Sequence, residues 1–324
     1  MKSLGIESTA HTFGIGVASS DGEITYEARD MFRPSVGSGF VPNDLADHHN
    51  RVAADMLSKI DMDEIDIVSF SRGPGIPNAL MVGSSVARYV AKKHRKPLVG
   101  VNHAVAHIEI GKLTTGCSDP VIVYLSGGNT QIIAYTEGRY RVFGESEDIP
   151  VGNALDVFAR EVGLATPGGP EVERLGKKGT YIELPYVVKG MDLSFTGIMT
   201  DAVKKHKSGA SLNDLCYSMQ ETCFSMLAEV AERALAHTEK KELLLVGGVA
   251  ANKRLNEMMT VMCEDRGAVC YTVPEKYAGD NGANIAWTGL LARNSRDRSS
   301  GIIQNWRVDQ VDAFWVRPRL ARSR

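Results

Sequence analysis

The chain has few cysteines and no long apolar run. It has five cysteines among 324 residues, an odd number, and no two of them form a C-x-x-C pair. This argues against a disulfide framework and against a thiolate zinc knuckle, and it indicates reduced thiols. No stretch approaches the ~18 apolar residues of a membrane span, and the first residues hold no apolar signal core. We therefore expect a cytoplasmic protein without membrane association.

A large excess of charge is also absent. The formal net charge is -2, and the 43% hydrophobic and 23% charged residues are typical of a soluble globular protein. This balance argues against a protein that coats nucleic acid by bulk electrostatics, but it leaves local basic patches open. Two basic clusters could form such patches, or could be solvated helix ends favoured by the helix dipole. They are Arg88, Lys92, Lys93, His94, Arg95 and Lys96, and Lys204, Lys205, His206 and Lys207.

Two parts of the chain resemble each other. Residues 4–28 and 121–143 each read as a strand, a small-residue turn, a strand, a glycine-containing turn and a third strand. A helical stretch follows each part, and then a buried strand and a second helix. The pattern predicts a duplicated β-β-β-α-β-α unit.

The duplication indicates an α/β protein of two lobes. We expect residues 1–115 to form an N-terminal lobe that is completed by about residues 293–324. Residues 116–292 would form the C-terminal lobe, with an insertion at about 165–207, where glycine and proline are frequent.

Two histidines, His103 and His107, stand four residues apart where a helix should begin. Asn102 reads as the N-cap of that helix, and the spacing places both imidazoles on one face, where they can share a metal ion. Position 104 is Ala, so the Glu that a zinc protease of the H-E-x-x-H type needs as a base is missing. The alternative is a helix with two ordinary histidines.

Asp280 is a candidate third ligand. It stands at a probable helix start, where an N-cap is its ordinary role. As an oxygen ligand it would complete a mixed nitrogen and oxygen set with the two histidines. Such a set suits Fe(II) or Zn(II) better than Ca(II) or Mg(II).

Glycine-rich turns are candidate nucleotide contacts. The turn at 126–130 joins two strands, and its glycines would let exposed amides approach a phosphate. The turn at 247–248 ends a strand and leads to Asn252, which could bond a nucleobase or ribose. Asp156 and Glu173 are candidate sugar ligands. Each of these features also has a plain reading as a turn or as a helix start.

Two related lobes with facing glycine turns resemble the actin, Hsp70 and sugar-kinase superfamily. That fold is duplicated, two-lobed and ribonuclease H-like, and the resemblance implies a nucleotide cleft between the lobes. A fold alone does not fix a function.

The motifs together closely resemble the TsaD/Kae/OSGEP family, the universal tRNA threonylcarbamoyladenosine transferases, and the archaeal and eukaryotic branch fits best. The resemblance implies that His103 and His107 bind one divalent metal, with the phenolate of Tyr124 as third ligand and Asp280 as fourth. It favours Fe(II) over Zn(II). The implied nucleotide contacts are Tyr124, Leu125, Ser126, Gly127, Gly128, Asp156, Gly169, Glu173 and Asn252.

The resemblance also implies the reaction. The threonylcarbamoyl group would pass from threonylcarbamoyl-adenylate, made by a separate synthase, to the N6 amine of adenosine 37 in tRNAs that read codons beginning with A. AMP would be released. Threonylcarbamoyl-adenylate, ATP or AMP is the expected occupant of the cleft. The residue that takes the proton from the amine is open, with Glu7 and His11 as candidates.

Partners follow from the same resemblance. They are tRNA and the KEOPS subunits: a small kinase or ATPase that some archaeal relatives carry fused at the C-terminus, a dimerising subunit and a tRNA-binding subunit. Three other readings compete: a small-molecule kinase on the same fold, a metallopeptidase, and a non-enzymatic chromatin or DNA-binding protein. The histidine pair weighs against the first, Ala104 against the second, and the net charge against the third.

Overall fold

The computed structural model describes residues 1–33, 41–165, 167–295 and 299–316. They form two compact units. The first holds residues 1–113, 137–140 and the described residues from 279 onward, and the second holds residues 114–136 and 141–278. No helix among the described residues combines the length and the apolar character needed to cross a membrane.

Twelve strands and ten α-helices are named in chain order for the described residues. The strands are β1 (Lys2–Glu7), β2 (Thr12–Ser19), β3 (Ile24–Met31), β4 (Ile67–Gly73), β5 (Leu98–Asn102), β6 (Val121–Leu125), β7 (Thr130–Thr136), β8 (Arg139–Glu145), β9 (Val188–Lys189), β10 (Asp192–Leu193), β11 (Glu242–Val246) and β12 (Val269–Thr272). The helices are α1 (Pro42–Leu57), α2 (Pro77–Lys93), α3 (His103–Thr115), α4 (Val151–Glu161), α5 (Gly168–Gly176), α6 (Thr196–Lys207), α7 (Leu212–Thr238), α8 (Lys253–Asp265), α9 (Glu275–Ala278) and α10 (Gly282–Leu291).

The two large sheets repeat one strand order, which confirms the duplicated α/β fold. The first runs β3-β2-β1-β4-β5 and the second runs β8-β7-β6-β11-β12. In each sheet the central strand pairs antiparallel with the next strand in sequence and parallel with a later one. The same β-β-β-α-β-α pattern was predicted from the sequence.

The first sheet has a core on each face. Helices α1 and α2 cover one face, where Leu4, Ile6 and Phe70 are fully buried. Residues of α3 and α10 pack on the other face, with Ile285 at its centre. A sheet whose central strands are buried on both faces is typical of α/β architecture, and β1 and β4 are buried at nearly every position.

Helix α10 departs from the predicted domain boundaries. The sequence placed residues up to 292 in the C-terminal lobe, but α10 packs against β1 and β2 of the first unit. Glycines at the crossing are the physical reason. A Cβ added at Gly5 would lie 2.2 Å from the backbone of Ala286, and one added at Gly16 would lie 2.3 Å from that of Ala283. Only the absence of side chains lets the two backbones approach so closely.

The predicted insertion at 165–207 holds α5, the small β9–β10 pair and α6. Asp148 fixes the start of α6, because its carboxylate accepts hydrogen bonds from Ser194 Oγ at 2.6 Å and from the backbone N–H of Thr196 at 2.9 Å. Burial alone would raise the pKa of Asp148, but these bonds outweigh it and hold the pKa well below the ordinary value of 3.8.

We expect Gly16→Ala to lower the free energy of unfolding by about 1–3 kcal/mol or more, because the new methyl group would overlap the α10 backbone. Gly197→Ala is the matched control. No other heavy atom lies within 4 Å of a Cβ at Gly197, which sits in the first turn of α6. It should be neutral, or stabilising by up to about 1 kcal/mol. Urea unfolding of the two variants measures both effects, and equal midpoints would contradict the close packing.

Asp148→Asn should lower the thermal midpoint at neutral pH, because the charge that the capping hydrogen bonds favour is lost. A lowered folded-state pKa contributes stability above the unfolded value of 3.8 and loses it as the pH falls toward the folded value. The difference between wild type and variant should therefore be constant from pH 7 to 5 and shrink below pH ~4. A difference that grows on acidification would show that the carboxylate is not held charged.

Candidate functional site

The two predicted metal-ligating histidines lie together at the start of α3. Asn102 ends β5, and its side chain accepts a hydrogen bond from the backbone N–H of Val105 at 3.1 Å, so the predicted N-cap is confirmed. His103 and His107 then fall one helical turn apart. Their ring centroids are 4.7 Å apart, the planes are nearly perpendicular, and both side chains are buried.

Asp280 meets both rings. Its Oδ1 lies 3.4 Å from His103 Nε2 and 3.3 Å from His107 Nε2. One ligand atom from each of the three residues lies within 4.8 Å of the others. The alternative role of Asp280 as an N-cap is wrong, because the side chain of Asn281 caps α10 by accepting from the N–H of Asn284 at 3.0 Å. Because Asn281 caps the helix, the Asp280 carboxylate can face the two imidazoles.

Glu7 orients His103 from the opposite side. Its Oε2 lies 3.0 Å from His103 Nδ1, and its Oε1 accepts from the N–H and the hydroxyl of Thr9 at 2.6 and 2.5 Å. A carboxylate on Nδ1 fixes the tautomer whose Nε2 lone pair can bind a metal, which is the usual outer-shell arrangement of metal-binding histidines. With three hydrogen bonds accepted, Glu7 is better suited to positioning His103 than to acting as a general base.

The protonation states also suit a metal. Burial lowers the pKa of His107, so its imidazole is neutral at neutral pH. Burial opposes the charge on Asp280, but the two histidines outweigh it and hold the pKa of that carboxyl well below its usual range. Neutral imidazole and ionised carboxylate are the forms in which these groups bind metals. The donor set of two nitrogens and one oxygen therefore fits a divalent metal.

Tyr124 belongs to the second compact unit. It is fully buried on β6, where it pairs with Gln131 of β7 and Val246 of β11. The metal cluster in the first unit consists of residues from β5–α3 and from the segment before α10. The role of Tyr124 as a metal ligand stays a prediction.

The turn at 126–129 is closed by its own hydrogen bonds. Ser126 Oγ accepts from the N–H of Gly128 at 3.2 Å and of Asn129 at 3.0 Å, and Ser126 N–H donates to Asn129 O at 2.8 Å. Positions for a Cβ on Gly127 and Gly128 are open. On the other side, Gly152 at the start of α4 approaches so closely that a Cβ there would lie 2.6 Å from Ser126 O. A phosphate bound to these amides would have to displace the Ser126 hydroxyl.

The other predicted nucleotide contacts lie around the starts of α5 and α8. Asp156 Oδ1 accepts from the N–H of Gly168 at 2.7 Å, and Gly169 beside it has open space at its Cβ position. Glu173 Oε1 lies 3.4 Å from the N–H of Lys253. The structure thus brings these side chains to the first turns of neighbouring helices, where sequence reasoning had treated them separately.

Asn252 has a structural role that the sequence did not show. Its Oδ1 accepts from the N–H of Leu255 at 3.1 Å and caps α8, and its Nδ2 donates to Gln220 Oε1 at 2.8 Å. Both ends of the side chain are therefore engaged. Gln220, buried on α7, was missed, because nothing in its local sequence distinguishes it from other glutamines.

Of the remaining candidates, His11 lies half-buried in the turn between β1 and β2, and its backbone carbonyl accepts from the N–H of Phe32 at 2.8 Å. The metal cluster does not include it. Thr9 was missed as an individual residue, although it follows the candidate Glu7 in the turn between β1 and β2. A hydroxyl two residues after a buried acid was the available signal.

Comparison with known proteins points to one family. The family model described as TsaD, tRNA N6-adenosine threonylcarbamoyltransferase, matches residues 22–287. A protein of that name from Thermofilum pendens is 54% identical over 327 residues, which cover 97% of each chain. A probable bifunctional tRNA threonylcarbamoyladenosine biosynthesis protein from Methanocaldococcus jannaschii is 48% identical over 330 residues, which cover 99% of this chain and 62% of that one.

Solved structures of low sequence identity support the fold alone. HypF from T. kodakarensis matches with a TM-score of 0.62 at 15% identity, over 90% of this chain and 48% of that one. A ROK family glucokinase from Streptomyces griseus matches with a TM-score of 0.50 at 14% identity, over 89% and 99%. These matches confirm the duplicated α/β fold that the sequence predicts.

Glu7→Gln should weaken metal binding about 10- to 100-fold, because a neutral amide holds the Nδ1–H of His103 less strongly than a carboxylate does. Metal affinity measured by competition with a chromogenic chelator tests this. The control is Glu23→Gln, which changes an exposed acid in the same unit. Equal affinities for the two variants would remove Glu7 from the site.

Proposed function

The chain belongs to the TsaD family of tRNA N6-adenosine threonylcarbamoyltransferases, and on that basis we propose how its residues carry out the transfer. The observation that carries the proposal is the convergence of His103, His107 and Asp280 in a chain of this family. A sugar kinase has no need for such a cluster. A zincin-type peptidase would also need the acid that Ala104 replaces.

The reaction we propose joins two substrates in one step. The N6 amine of adenosine 37 attacks the carbamoyl carbon of threonylcarbamoyl-adenylate, a carbon–nitrogen bond forms, and the bond from that carbon to the phosphate oxygen breaks. AMP leaves with its electron pair, and the amine gives up one proton. Because an exocyclic adenine amine is a poor nucleophile, catalysis must stabilise the negative charge that develops on the carbonyl oxygen.

His103, His107 and Asp280 would hold a divalent metal, and Tyr124 is proposed as a further ligand through its phenolate. When bound, that metal would supply Lewis-acid polarisation of the carbonyl oxygen. Two imidazoles with a carboxylate suit Fe(II) and Zn(II), and we propose Fe(II) as the resident ion. Glu7 keeps the His103 ring in the orientation that this role needs.

The nucleotide part of the donor is proposed to bind the second unit. The amides of the 126–129 turn would take the phosphate in exchange for Ser126 Oγ. Asp156 and Glu173 would contact the ribose, and Gly169 would leave room beside them. Asn252 would support this region mainly by capping α8, and less by a direct hydrogen bond from its amide to the nucleotide.

Partners are proposed from the relatives. The M. jannaschii relative is named as bifunctional, and the chain spans about three fifths of its length. We propose that a kinase-like protein, a dimerising subunit and a tRNA-binding subunit work with this chain as the KEOPS complex, and that tRNA approaches through local basic patches. Residues 317–324, which include Arg317, Arg319, Arg322 and Arg324, lie outside the described residues.

The test is transfer of labelled threonylcarbamoyl from its adenylate to unmodified tRNA, with purified partners. His103→Ala should lower incorporation at least about 100-fold while adenylate binding and the thermal midpoint survive, because the ligand set is broken. His237→Ala, at an exposed position of the second unit, is the control and should be as active as wild type. Equal incorporation by both variants would reduce His103 to a structural residue. A wild type that transfers phosphate to a sugar, but no threonylcarbamoyl to tRNA, would favour the kinase reading.

A further inference from the structure

A second pair of buried histidines lies outside the metal cluster. His48 and His49, adjacent in α1, have their Nδ1 atoms 3.0 Å apart. His49 is completely buried, and His48 is 8% exposed. Their outer nitrogens have different partners: His49 Nε2 lies 3.0 Å from the carbonyl oxygen of Ala10, and His48 Nε2 lies 2.7 Å from Oδ1 of Asp30.

The partners of the ring nitrogens determine which nitrogen donates and which accepts in this pair. A carbonyl oxygen only accepts, so His49 must carry its hydrogen on Nε2 and present a lone pair at Nδ1. His48 must then donate from Nδ1, and its Nε2 faces the Asp30 carboxylate. Burial lowers the pKa of His49 to about 4, so that ring stays neutral at neutral pH. The result is an ordered path from Asp30 to Ala10.

The carbonyl at the end of this path lies in the turn that serves the metal cluster. Ala10 stands in the turn between β1 and β2, directly after Thr9, and Thr9 and Glu7 together contact His103 Nδ1. The same turn is also held on another side, where Thr9 O accepts from the N–H of Ile76 at the start of α2 at 2.8 Å. Without the His49 bond, the Ala10 end of the turn loses the side-chain donor that fixes it from α1.

We propose that His49 is a positioning residue for the transferase: its hydrogen bond to Ala10 fixes the turn from which Glu7 and Thr9 set the orientation of His103. His48 and Asp30 fix the tautomer of His49 from the outer side. This inference rests on the proposed metal-dependent function. It goes beyond that function because His49 touches neither the ligands nor Glu7.

The competing role is plain core packing. His49 occupies a position that an apolar residue could fill, with its ring centroid 5.5 Å from that of Phe13. A packing role depends on volume and a positioning role depends on the N–H donor, so two substitutions separate them. His49→Phe keeps a ring and loses the donor. His49→Gln loses the ring and keeps an N–H that can reach Ala10 O.

The experiment titrates Co(II), as a spectroscopic probe of the metal site, into the full chain. We expect His49→Phe to bind Co(II) about tenfold more weakly than wild type and to shift its visible absorption bands, because the His103 ring is less well oriented. His49→Gln should bind Co(II) about as tightly as wild type. His237→Phe, which changes an exposed histidine in the second unit, should match wild type in both readouts.

Two results would overturn the inference: wild-type Co(II) affinity and spectrum in His49→Phe, or a His49→Gln as impaired as His49→Phe. If His49→Phe does not fold, Asp30→Asn tests the same path from its outer end, where the Asp30 side chain is 55% exposed. We expect about a threefold loss of affinity there, and an unchanged affinity would overturn the inference. If the wild type binds Co(II) no better than His103→Ala does, the proposed metal site is overturned, and this inference with it.

Discussion

The crossing of α10 over β1 and β2 is the contact on which the candidate site depends. Backbone meets backbone there, because Gly5 and Gly16 in the strands and Gly282 in the helix have no side chains to hold them apart. This crossing brings the segment just before α10 onto the first sheet, and Asp280 is part of that segment. Since β5 of the same sheet leads into α3, the carboxylate arrives beside the two histidines. A wider spacing would separate the ligands.

Much of the fold could be predicted from the sequence, because its signals are local. The glycine turns and the two copies of one pattern were enough to predict the duplicated β-β-β-α-β-α unit, and the structure adds the strand order of both sheets. The assignment of α10 could not be made locally, since its apolar residues fit the core of either lobe and only the glycines on distant strands decide between them. Helix α7 was missed for a related reason: it is buried on several sides, so its apolar residues show no single face.

In the candidate site, too, the features that depend on local sequence could be predicted and those that depend on distant residues could not. The spacing of His103 and His107 is a local pattern, and it placed both rings on one helix face. Asp280 was suggested by residue type alone, and the structure adds the reason for its orientation, which is that Asn281 takes the capping role. Glu7 was singled out only as a possible base, because the sequence cannot show that its carboxylate is already engaged by Thr9 and His103. His49 carried a detectable signal, a histidine in register with the buried residues Leu45, Ala53 and Met56 of α1.

His107 and Asp280 are 173 positions apart in the chain, yet both belong to the first unit, and the whole of the second unit lies between them in sequence. An ion held by both residues would act as a cross-link that closes one long loop of the chain. Such a link removes conformational freedom from the unfolded chain, and the entropy of closing a loop grows only slowly with its length. A bound metal would then raise the stability of the first unit, by holding the two ends of this loop together, as well as serve the reaction. The second unit would be an insertion in this loop, and its length would add little to the entropy lost when the loop is closed.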